Sequence, residues 1–477
     1  MADGAPSEGL FQRTVQRFRN AWRDVSSSIQ GGNVSGDALQ SDLPDRDAER
    51  VREQMRACLE GRGGEVSSRA RAAALGRNYL SLDDGGRERF LKILATEFDT
   101  DRDSIGAAIA QIDEFDDWAG RKGAERRLRN ALEPPRRRLL MQFNELPEGV
   151  KFLVDMRAEL LELSGSNEEI RGLEEDLKEL LSSWFDIGFL ELRQIDWDSS
   201  AAVLEKLIAY EAVHEIQSWG DMKNRLASDR RCYAFFHPRM PNEPLIFVEI
   251  ALTDGVAGNI QTLLDEMAPV VDATEADTAI FYSISNAQRG LAGISFGGFL
   301  IKRVVDQLTA EFEGLKNFAT LSPIPGFRRW LDRQAREAAE ENRDLLTESE
   351  RSALAGLVPE AAAAVSLPAF IALPDWQEGG ELADALRSPL ERLCAKYLVE
   401  AKRRDGQALD PVGHFHLSNG ARMERINWLA DISEKGLAQS AGMMINYHYR
   451  LEEIEANHEA YTGEGSIPAS SMINGLL

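Results

Sequence analysis

The stretch Thr278-Ala-Ile-Phe-Tyr-Ser-Ile-Ser285 is apolar and rich in β-forming residues, and it predicts a buried strand. A glycine-rich loop follows over residues 286–298, and a helix is predicted over 299–312 because its apolar residues recur on one face. The short apolar run Phe318 to Leu321 predicts a second strand. A strand, a loop, a helix and a strand in this order predict two parallel strands of an α/β sheet.

The glycine loop and the end of the second strand together predict a ligand site. Gly290, Gly293, Gly297 and Gly298 would let the backbone approach a phosphate at the start of the helix. The carboxyl ends of parallel strands meet at one edge of a sheet, so Ser322 is expected beside this loop. An ordinary tight turn is the alternative. The loop matches neither G-x-x-x-x-G-K-[ST] nor a strict G-x-G-x-x-G, which disfavours ATP hydrolysis and a Rossmann dinucleotide site.

Ser322 opens the segment Ser322-Pro-Ile-Pro-Gly-Phe327, in which two prolines and a glycine restrict the backbone. Such a turn can hold a hydroxyl where a ligand needs it, and the alternative is that the serine only caps the turn. The segment is not a G-x-S-x-G nucleophile elbow, so serine hydrolase chemistry is disfavoured.

Two of the six histidines, His414 and His416, lie in a loop-like stretch over 411–420 that contains Pro and Gly. On a strand they would share one face and could form a metal pair, but no third ligand has a suitable spacing. We therefore predict no metal. A proton donor near neutral pH is the usual role of a loop histidine, and a structural histidine is the alternative.

The chain is predicted to have an α+β fold in three parts. Residues 1–44 are expected to be a flexible N-terminal segment, because 26–43 is rich in Ser, Gly, Asn and Asp without periodic apolar residues. Residues 45–185 show helical periodicity and contain no histidine, so we assign this part to subunit contacts. Residues 186–477 alternate strand-like and helical runs and form the predicted α/β catalytic domain.

Composition narrows the choice of partners. The 477 residues are 43% hydrophobic and carry a net charge of −24, which disfavours nucleic acid and anionic membranes. No apolar run reaches the roughly 20 residues of a membrane span, and the three cysteines have no paired spacing. We expect a cytoplasmic protein. The segment 286–330 holds six basic residues against three acidic ones, which suits an anionic ligand.

Several segments resemble the malonyl-CoA decarboxylase family in their residues, their order and their spacing. The resemblance extends from about residue 50 to the end of the chain. The segments are Arg231-Cys-Tyr-Ala-Phe-Phe-His237, Pro244-Leu-Ile246, Phe281-Tyr-Ser-Ile-Ser285, Phe299-Leu-Ile-Lys-Arg-Val-Val305, Leu321-Ser-Pro-Ile-Pro-Gly-Phe327, Phe415-His-Leu-Ser-Asn-Gly-Ala421 and Arg425-Ile-Asn-Trp428.

The resemblance implies a helical oligomerisation domain and a C-terminal domain like the GNAT-type N-acetyltransferases, which bind CoA where two parallel strands separate. It implies Ser322 as the catalytic serine, His416 as the catalytic histidine and Ser283 on a strand lining the pocket. It implies that the pyrophosphate loop comprises Ala292, Gly293, Ile294, Ser295, Phe296, Gly297 and Gly298. Malonyl-CoA and acetyl-CoA are the implied ligands, without metal or cofactor, in a homo-oligomer that is a dimer or a tetramer.

The implied reaction removes CO2 from malonyl-CoA and leaves a thioester enolate. Backbone N–H groups near Ser283 are candidates to stabilise the oxyanion. Ser322 is expected to hydrogen-bond the malonyl carboxylate or the thioester, and His416 to protonate the enolate carbon. Alternatively, Ser322 acts as a base through His416.

The sequence departs from the family at two site positions. His414 stands where animal members tend to have Asn, and Ser295 where they tend to have Glu. The chain ends in Asn474-Gly-Leu-Leu477 without a Ser-Lys-Leu type address, which favours a cytoplasmic, bacterial-type member. Two other functions remain open, an acyl-CoA-dependent acyltransferase and a non-catalytic CoA-binding scaffold.

Overall fold

The computed structural model describes residues 6–27, 38–61, 64–115, 117–165, 167–294, 297–355, 357 and 367–477. The first part of the chain is helical, as predicted. Its helices are α1 (Pro6–Ser27), α2 (Asp45–Leu59), α3 (Gly64–Ser81), α4 (Asp84–Glu97), α5 (Arg102–Ala110), α6 (Trp118–Leu132), α7 (Pro135–Asn144), α8 (Gly149–Ser164) and α9 (Glu168–Trp184).

Helix α1 corrects the expectation of a flexible segment over 1–44. Trp22 is 0% exposed, its indole N–H donates to the carbonyl of Pro147 at 2.7 Å, and its ring lies 4.8 Å from that of Phe152 in α8. An amphipathic helix is stable when its apolar face is covered, and here α3 and α8 cover it. Residues 28–37, the centre of the expected flexible stretch, lie outside the described part of the chain.

The second part contains one mixed sheet. Its strands are β1 (Glu191–Ile195), β2 (Arg230–His237), β3 (Met240–Thr253), β4 (Thr278–Asn286), β5 (Asn317–Thr320), β6 (Ser322–Pro323), β7 (Arg422–Asn427) and β8 (Met444–His448). The strand order is β1-β2-β3-β4-β5-β8-β6, with β7 paired to β8. The helical first part and this mixed domain confirm the predicted α+β class, whereas the likeness to GNAT-type acetyltransferases stays a prediction.

Helices cover the sheet and carry part of the cavity wall described below. They are α10 (Ala201–Tyr210), α11 (Trp219–Asn224), α12 (Ile260–Leu263), α13 (Gly297–Glu311), α14 (Phe327–Glu340), α15 (Glu348–Ala355), α16 (Leu367–Phe370), α17 (Glu381–Glu400), α18 (Pro411–Ser418), α19 (Glu434–Ser440), α20 (Ile454–Glu464) and α21 (Ser471–Asn474). Within the described ranges, no helix has the length and hydropathy needed to cross a bilayer.

The predicted unit of strand, loop, helix and strand is present as β4, α13 and β5. The two strands are parallel, and their pairing runs from Thr278 opposite Asn317 to Phe281 opposite Thr320. Beyond that point the chain of β5 turns into β6, which pairs with β8. Strands β4 and β6 therefore separate, and the opening lies at the carboxyl edge where the sequence predicts the ligand.

The glycine loop also packs against the helical part. The guanidinium of Arg157 in α8 donates to the carbonyl of Gly290 at 2.6 Å. A Cβ at Gly290 would lie 1.8 Å from the carbonyl oxygen of Val154, so this position needs glycine for packing against α8.

Candidate active site

A cavity of about 1360 Å³ opens between the separated strands and helices α13, α18 and α20. Its wall includes Phe281, Ile284, Gly293, Ser322, His416 and Tyr449. The structure therefore brings the predicted catalytic serine, the predicted catalytic histidine and part of the glycine loop to one site. The volume is that of a large ligand pocket.

Ser322 lines this cavity and is 5% exposed. It begins β6 and pairs with Ile445 of β8, which fixes its backbone. Its hydroxyl donates to Oγ1 of Thr320 at 2.8 Å, and its Oγ lies 3.1 Å from Nε2 of His416. The serine does not merely cap the proline turn, because its side chain contacts the imidazole.

His416 lies on helix α18, where a loop was expected. Asp410 caps this helix by accepting from the backbone N–H groups of its first turn, and Pro411 is its first residue. Residues two apart on a helix point about 200° apart, so His414 and His416 do not share one face of a strand, as the metal-pair alternative required. Their Nδ1 atoms contact different hydroxyls, that of Tyr461 for His414 and that of Tyr449 for His416.

In the part of the chain that the structure describes, no cluster of three or more His, Cys, Asp or Glu side chains could hold a metal ion.

The imidazole of His416 is neutral at physiological pH. The side chain is 3% exposed, and burial lowers its pKa to about 3. Its Nδ1 lies 2.8 Å from the hydroxyl of Tyr449, and burial raises the pKa of that hydroxyl well above its ordinary value. Tyr449 is thus a protonated donor, and it completes a chain of neutral hydrogen bonds through His416 and Ser322 to Thr320.

The donor and acceptor roles in this series of hydrogen bonds follow from the Ser322 hydroxyl. Because the Ser322 hydroxyl donates to Thr320, the serine oxygen can accept a hydrogen bond from Nε2 of His416. Nδ1 then accepts from the Tyr449 hydroxyl. The proton of the imidazole is therefore placed on Nε2, on the side that faces the serine and the cavity.

The glycine loop only partly lines the cavity. Gly293 and Ile294 are on the wall, and Gly293 has a positive φ of 74° that favours glycine. Ala292 is exposed beside them. The predicted Ser295 and Phe296 lie outside the described residues, and the predicted Gly297 and Gly298 form the backbone of the first turn of α13.

Three of the six basic residues of 286–330 pair with acidic side chains. Lys302 lines the cavity and pairs with Glu455 of α20 at 3.6 Å. Arg289 pairs with Glu162, and Arg328 pairs with Asp332 at 3.2 Å.

Ser283 faces away from the cavity. A bulge in β4 leaves Tyr282 without a partner between two paired positions of β3, and this turns the next side chain over. The Ser283 hydroxyl donates to the two carboxylate oxygens of Glu211 at 2.7 and 2.8 Å. Ile284 takes the place on the wall that was expected for Ser283. The strand lines the pocket as predicted, but this residue does not.

Sequence reasoning missed Thr320, Tyr449, Glu211 and Asp410. Tyr449 follows the predicted catalytic histidine by 33 positions in the chain, so no local pattern connects them. Asp410 did carry a signal, since Asp followed by Pro is a usual start of a helix.

Comparisons with known proteins show the family to which the chain belongs. Residues 188–477 match the family described as malonyl-CoA decarboxylase C-terminal domain, and residues 98–185 match its N-terminal domain. The mitochondrial malonyl-CoA decarboxylase of Anser anser anser is 37% identical over 480 residues, covering 97% of this chain and 93% of that protein. The mitochondrial enzyme of Mus musculus is 39% identical, covering 92% of this chain and 90% of its own length.

Solved structures show the same similarity. The crystal structure of malonyl-CoA decarboxylase from Rhodopseudomonas palustris superposes with a TM-score of 0.80 at 41% identity, over 90% of this chain and 99% of that one. The enzyme from Agrobacterium vitis gives a TM-score of 0.79 at 40% identity, over 90% and 99% of the two chains. The arrangement of Ser322 and His416 in the cavity thus occurs in a chain that belongs to the malonyl-CoA decarboxylase family.

Proposed function

We propose that the chain converts malonyl-CoA to acetyl-CoA and CO2 at the cavity that holds Ser322 and His416. The observation that carries this proposal is the 3.1 Å contact between the serine hydroxyl and the imidazole in the wall of the cavity. The two groups come from positions 94 residues apart in the chain, and membership of the family supports their use on malonyl-CoA.

The surroundings of the pair favour loss of CO2. Phe281 and Phe415 line the cavity, and Tyr447 stacks on the imidazole with ring centroids 4.5 Å apart. A carboxylate placed among these rings loses hydration that stabilises its charge. The CO2 that leaves is neutral, so it loses little stabilisation when it is not hydrated. Transfer of charge from the carboxylate to the thioester oxygen, where donors are available, is therefore favoured.

The reaction breaks one C–C bond and makes one C–H bond. The electron pair of the broken bond becomes the thioester enolate, and one proton is then taken up by the carbon. Backbone N–H groups of β4 beyond Phe281, where the pairing with β5 ends, are candidates to hold the enolate oxygen. Ser322 would turn its hydroxyl from Thr320 to the substrate and orient the bond that breaks.

His416 would deliver the proton. Its pKa of about 3 excludes a stable imidazolium at neutral pH, so the donor is the neutral Nε2–H group. Because Nδ1 faces the Tyr449 hydroxyl, the ring can gain a proton there as it gives one up at Nε2. After the product has left, Nδ1 returns that proton to Tyr449 and Nε2, which faces the cavity, takes one proton from water, so the Nε2–H form is restored. The alternative, Ser322 as a base through His416, uses the same contacts with the serine proton moving first.

The test is CO2 release from malonyl-CoA by the purified full chain in the presence of a chelator. We expect metal-independent release that is lost, by at least about 100-fold, in Ser322→Ala and in His416→Asn. His237→Asn is the matched control, because that buried imidazole contacts the carbonyl of Trp184, outside the cavity.

Three other outcomes would contradict the proposal. His416→Asn with full turnover would remove the histidine from the mechanism. Release of free CoA only when an amine is present would indicate an acyltransferase. Binding of malonyl-CoA without CO2 from the parent chain would indicate a scaffold.

A cytoplasmic location and a homo-oligomeric state also remain proposals. The three cysteines, Cys58, Cys232 and Cys394, are free and buried, which fits a reducing compartment. Light scattering on the purified chain distinguishes a monomer from the dimer or tetramer that we expect.

A further inference from the structure

One buried carboxylate contacts both of the segments that carry Ser322 and His416. Asp410 is 1% exposed and directly precedes α18, the helix of His416. Its Oδ1 accepts hydrogen bonds from the backbone N–H groups of Val412 and Gly413, at 3.0 and 2.9 Å. The first turn of the histidine helix is therefore tied to this carboxylate.

The second oxygen of the same carboxylate reaches the turn that follows Ser322. Asp410 Oδ2 accepts from the hydroxyl of Tyr397 at 3.0 Å and from the backbone N–H of Gly326 at 3.4 Å. Gly326 closes the turn that Ser322 opens, and the two prolines between them restrict the backbone. A shift at Gly326 is therefore passed on to the serine.

The packing around these contacts leaves little room for adjustment. A Cβ at Gly326 would lie 2.0 Å from the Tyr397 hydroxyl oxygen, so the turn can approach α17 only through glycine. A Cβ at Gly413 would lie 3.0 Å from the hydroxyl oxygen of Tyr447, whose ring stacks on His416.

We propose that Asp410 is a positioning residue for the decarboxylation: it holds the Ser322 turn and the His416 helix at the separation that their 3.1 Å contact requires. This inference rests on the proposed function. Asp410 is not part of the cavity wall, so it acts through the two catalytic groups and not on the substrate. Displacement of a reacting group by about 1 Å can cost about 100-fold in rate.

The simpler role of Asp410 is that of a helix cap, and Asp410→Asn separates the two roles. The asparagine keeps Oδ1, which can still cap α18. Its amide group, however, replaces Oδ2 and presents N–H to the N–H of Gly326, so the tie to the serine turn is lost. Ser433→Ala is the matched control, because Ser433 caps α19 of the same domain by accepting from Gly436 at 3.1 Å.

The experiment measures kcat and KM for CO2 release from malonyl-CoA by the full chain. Asp410→Asn is expected to lower kcat by about 10- to 100-fold with KM within about 2-fold of the parent. Ser433→Ala is expected to leave both constants unchanged. Asparagine has the same shape as aspartate, so Asp410→Asn tests the contact without leaving the space that an alanine would leave.

A second measurement does not depend on turnover. The 15N NMR signals of the His416 ring, assigned by their loss in His416→Asn, are expected to shift in Asp410→Asn and to stay in place in Ser433→Ala. Unchanged kcat in Asp410→Asn would overturn the inference, and so would a lower kcat with unshifted ring signals. A parent chain that releases no CO2 would instead contradict the proposed function, while the ring signals would still test the tie between Asp410 and His416.

Discussion

The hydroxyl of Tyr449 supports the Nε2–H tautomer of His416 that the donation of Ser322 to Thr320 requires. It lies 2.8 Å from Nδ1 and is buried with the ring. In Tyr449→Phe the nitrogen loses its donor, so the Nε2–H form is no longer favoured. We expect kcat to fall about 10-fold, the equivalent of about 1.4 kcal/mol. Steady-state kinetics check this, with Tyr233→Phe as a control whose hydroxyl contacts Glu311 outside the cavity; equal rates in parent and Tyr449→Phe would refute it.

Burial of His416 also makes stability depend on pH. Its pKa is about 3 in the folded chain against an ordinary value of 6.5, so between these values the unfolded chain binds a proton that the folded chain does not. The free energy of unfolding therefore falls as the pH is lowered through this window, by up to about 1.4 kcal/mol per pH unit for one such group. His214, with a pKa lowered to about 4, acts in the same direction, whereas Glu249, with a pKa raised to about 8, acts in the opposite one.

Urea unfolding at a series of pH values isolates the share of His416. His416→Asn removes this imidazole and keeps the other titrating groups. Between pH 3 and 6.5 the free energy of unfolding is therefore expected to change less steeply with pH than in the parent, by the amount that corresponds to one bound proton. Parallel slopes for the two chains would show that the imidazole is not buried as described.

At the scale of single elements, α1 is held by its buried aromatic side chains, of which Trp22 is the largest. Trp22 packs on Phe18 and Phe152, and a Cβ at Gly76 of α3 would lie 2.3 Å from its ring. Trp22→Ala is therefore expected to lower the free energy of unfolding by about 3–5 kcal/mol. Trp118→Ala, at a position 76% exposed, is the control and should change it by less than about 0.5 kcal/mol. Equal effects in urea titrations would mean that α1 does not pack on the domain.

Helix α18 shows how one local pattern has two interpretations. Pro411 and Gly413 favour a loop when they are considered alone. A helix forms because proline is well placed in a first turn, where its missing N–H is not needed, and because the Asp410 carboxylate satisfies the next two N–H groups. The carboxylate can do this while buried because Tyr397 and Gly326 contact its other oxygen.

At the scale of the whole molecule, the helical part and the mixed domain share one core. A single cluster of buried side chains extends from Val15 in α1 through Phe152 in α8 to Phe327, Tyr397 and Ile473 in the second part. We therefore expect one cooperative unfolding transition, with helix content, tryptophan fluorescence and activity lost together. Calorimetry that resolves two transitions would contradict a shared core.

The sequence alone determined the elements whose signal is local. The apolar run at 278–285 is strand β4 in the structure, and the amphipathic helix predicted after the glycine loop is α13. Both elements depend mainly on neighbours in the chain. Ser322 and His416 were predicted as site residues through the resemblance of their motifs to the malonyl-CoA decarboxylase family, and the structure brings them together. A run of residues with one periodicity reports its own secondary structure because that depends on contacts a few positions away.

Tertiary structure decided the partners of those residues. The bulge that turns Ser283 toward Glu211, the Tyr449 hydroxyl on His416, and Asp410 between two distant segments all depend on contacts between elements far apart in the chain. The same holds for α1, which is a covered helix because α3 and α8 offer it an apolar surface. Side-chain contacts across a fold depend on how the elements pack, and local periodicity carries no information about that packing.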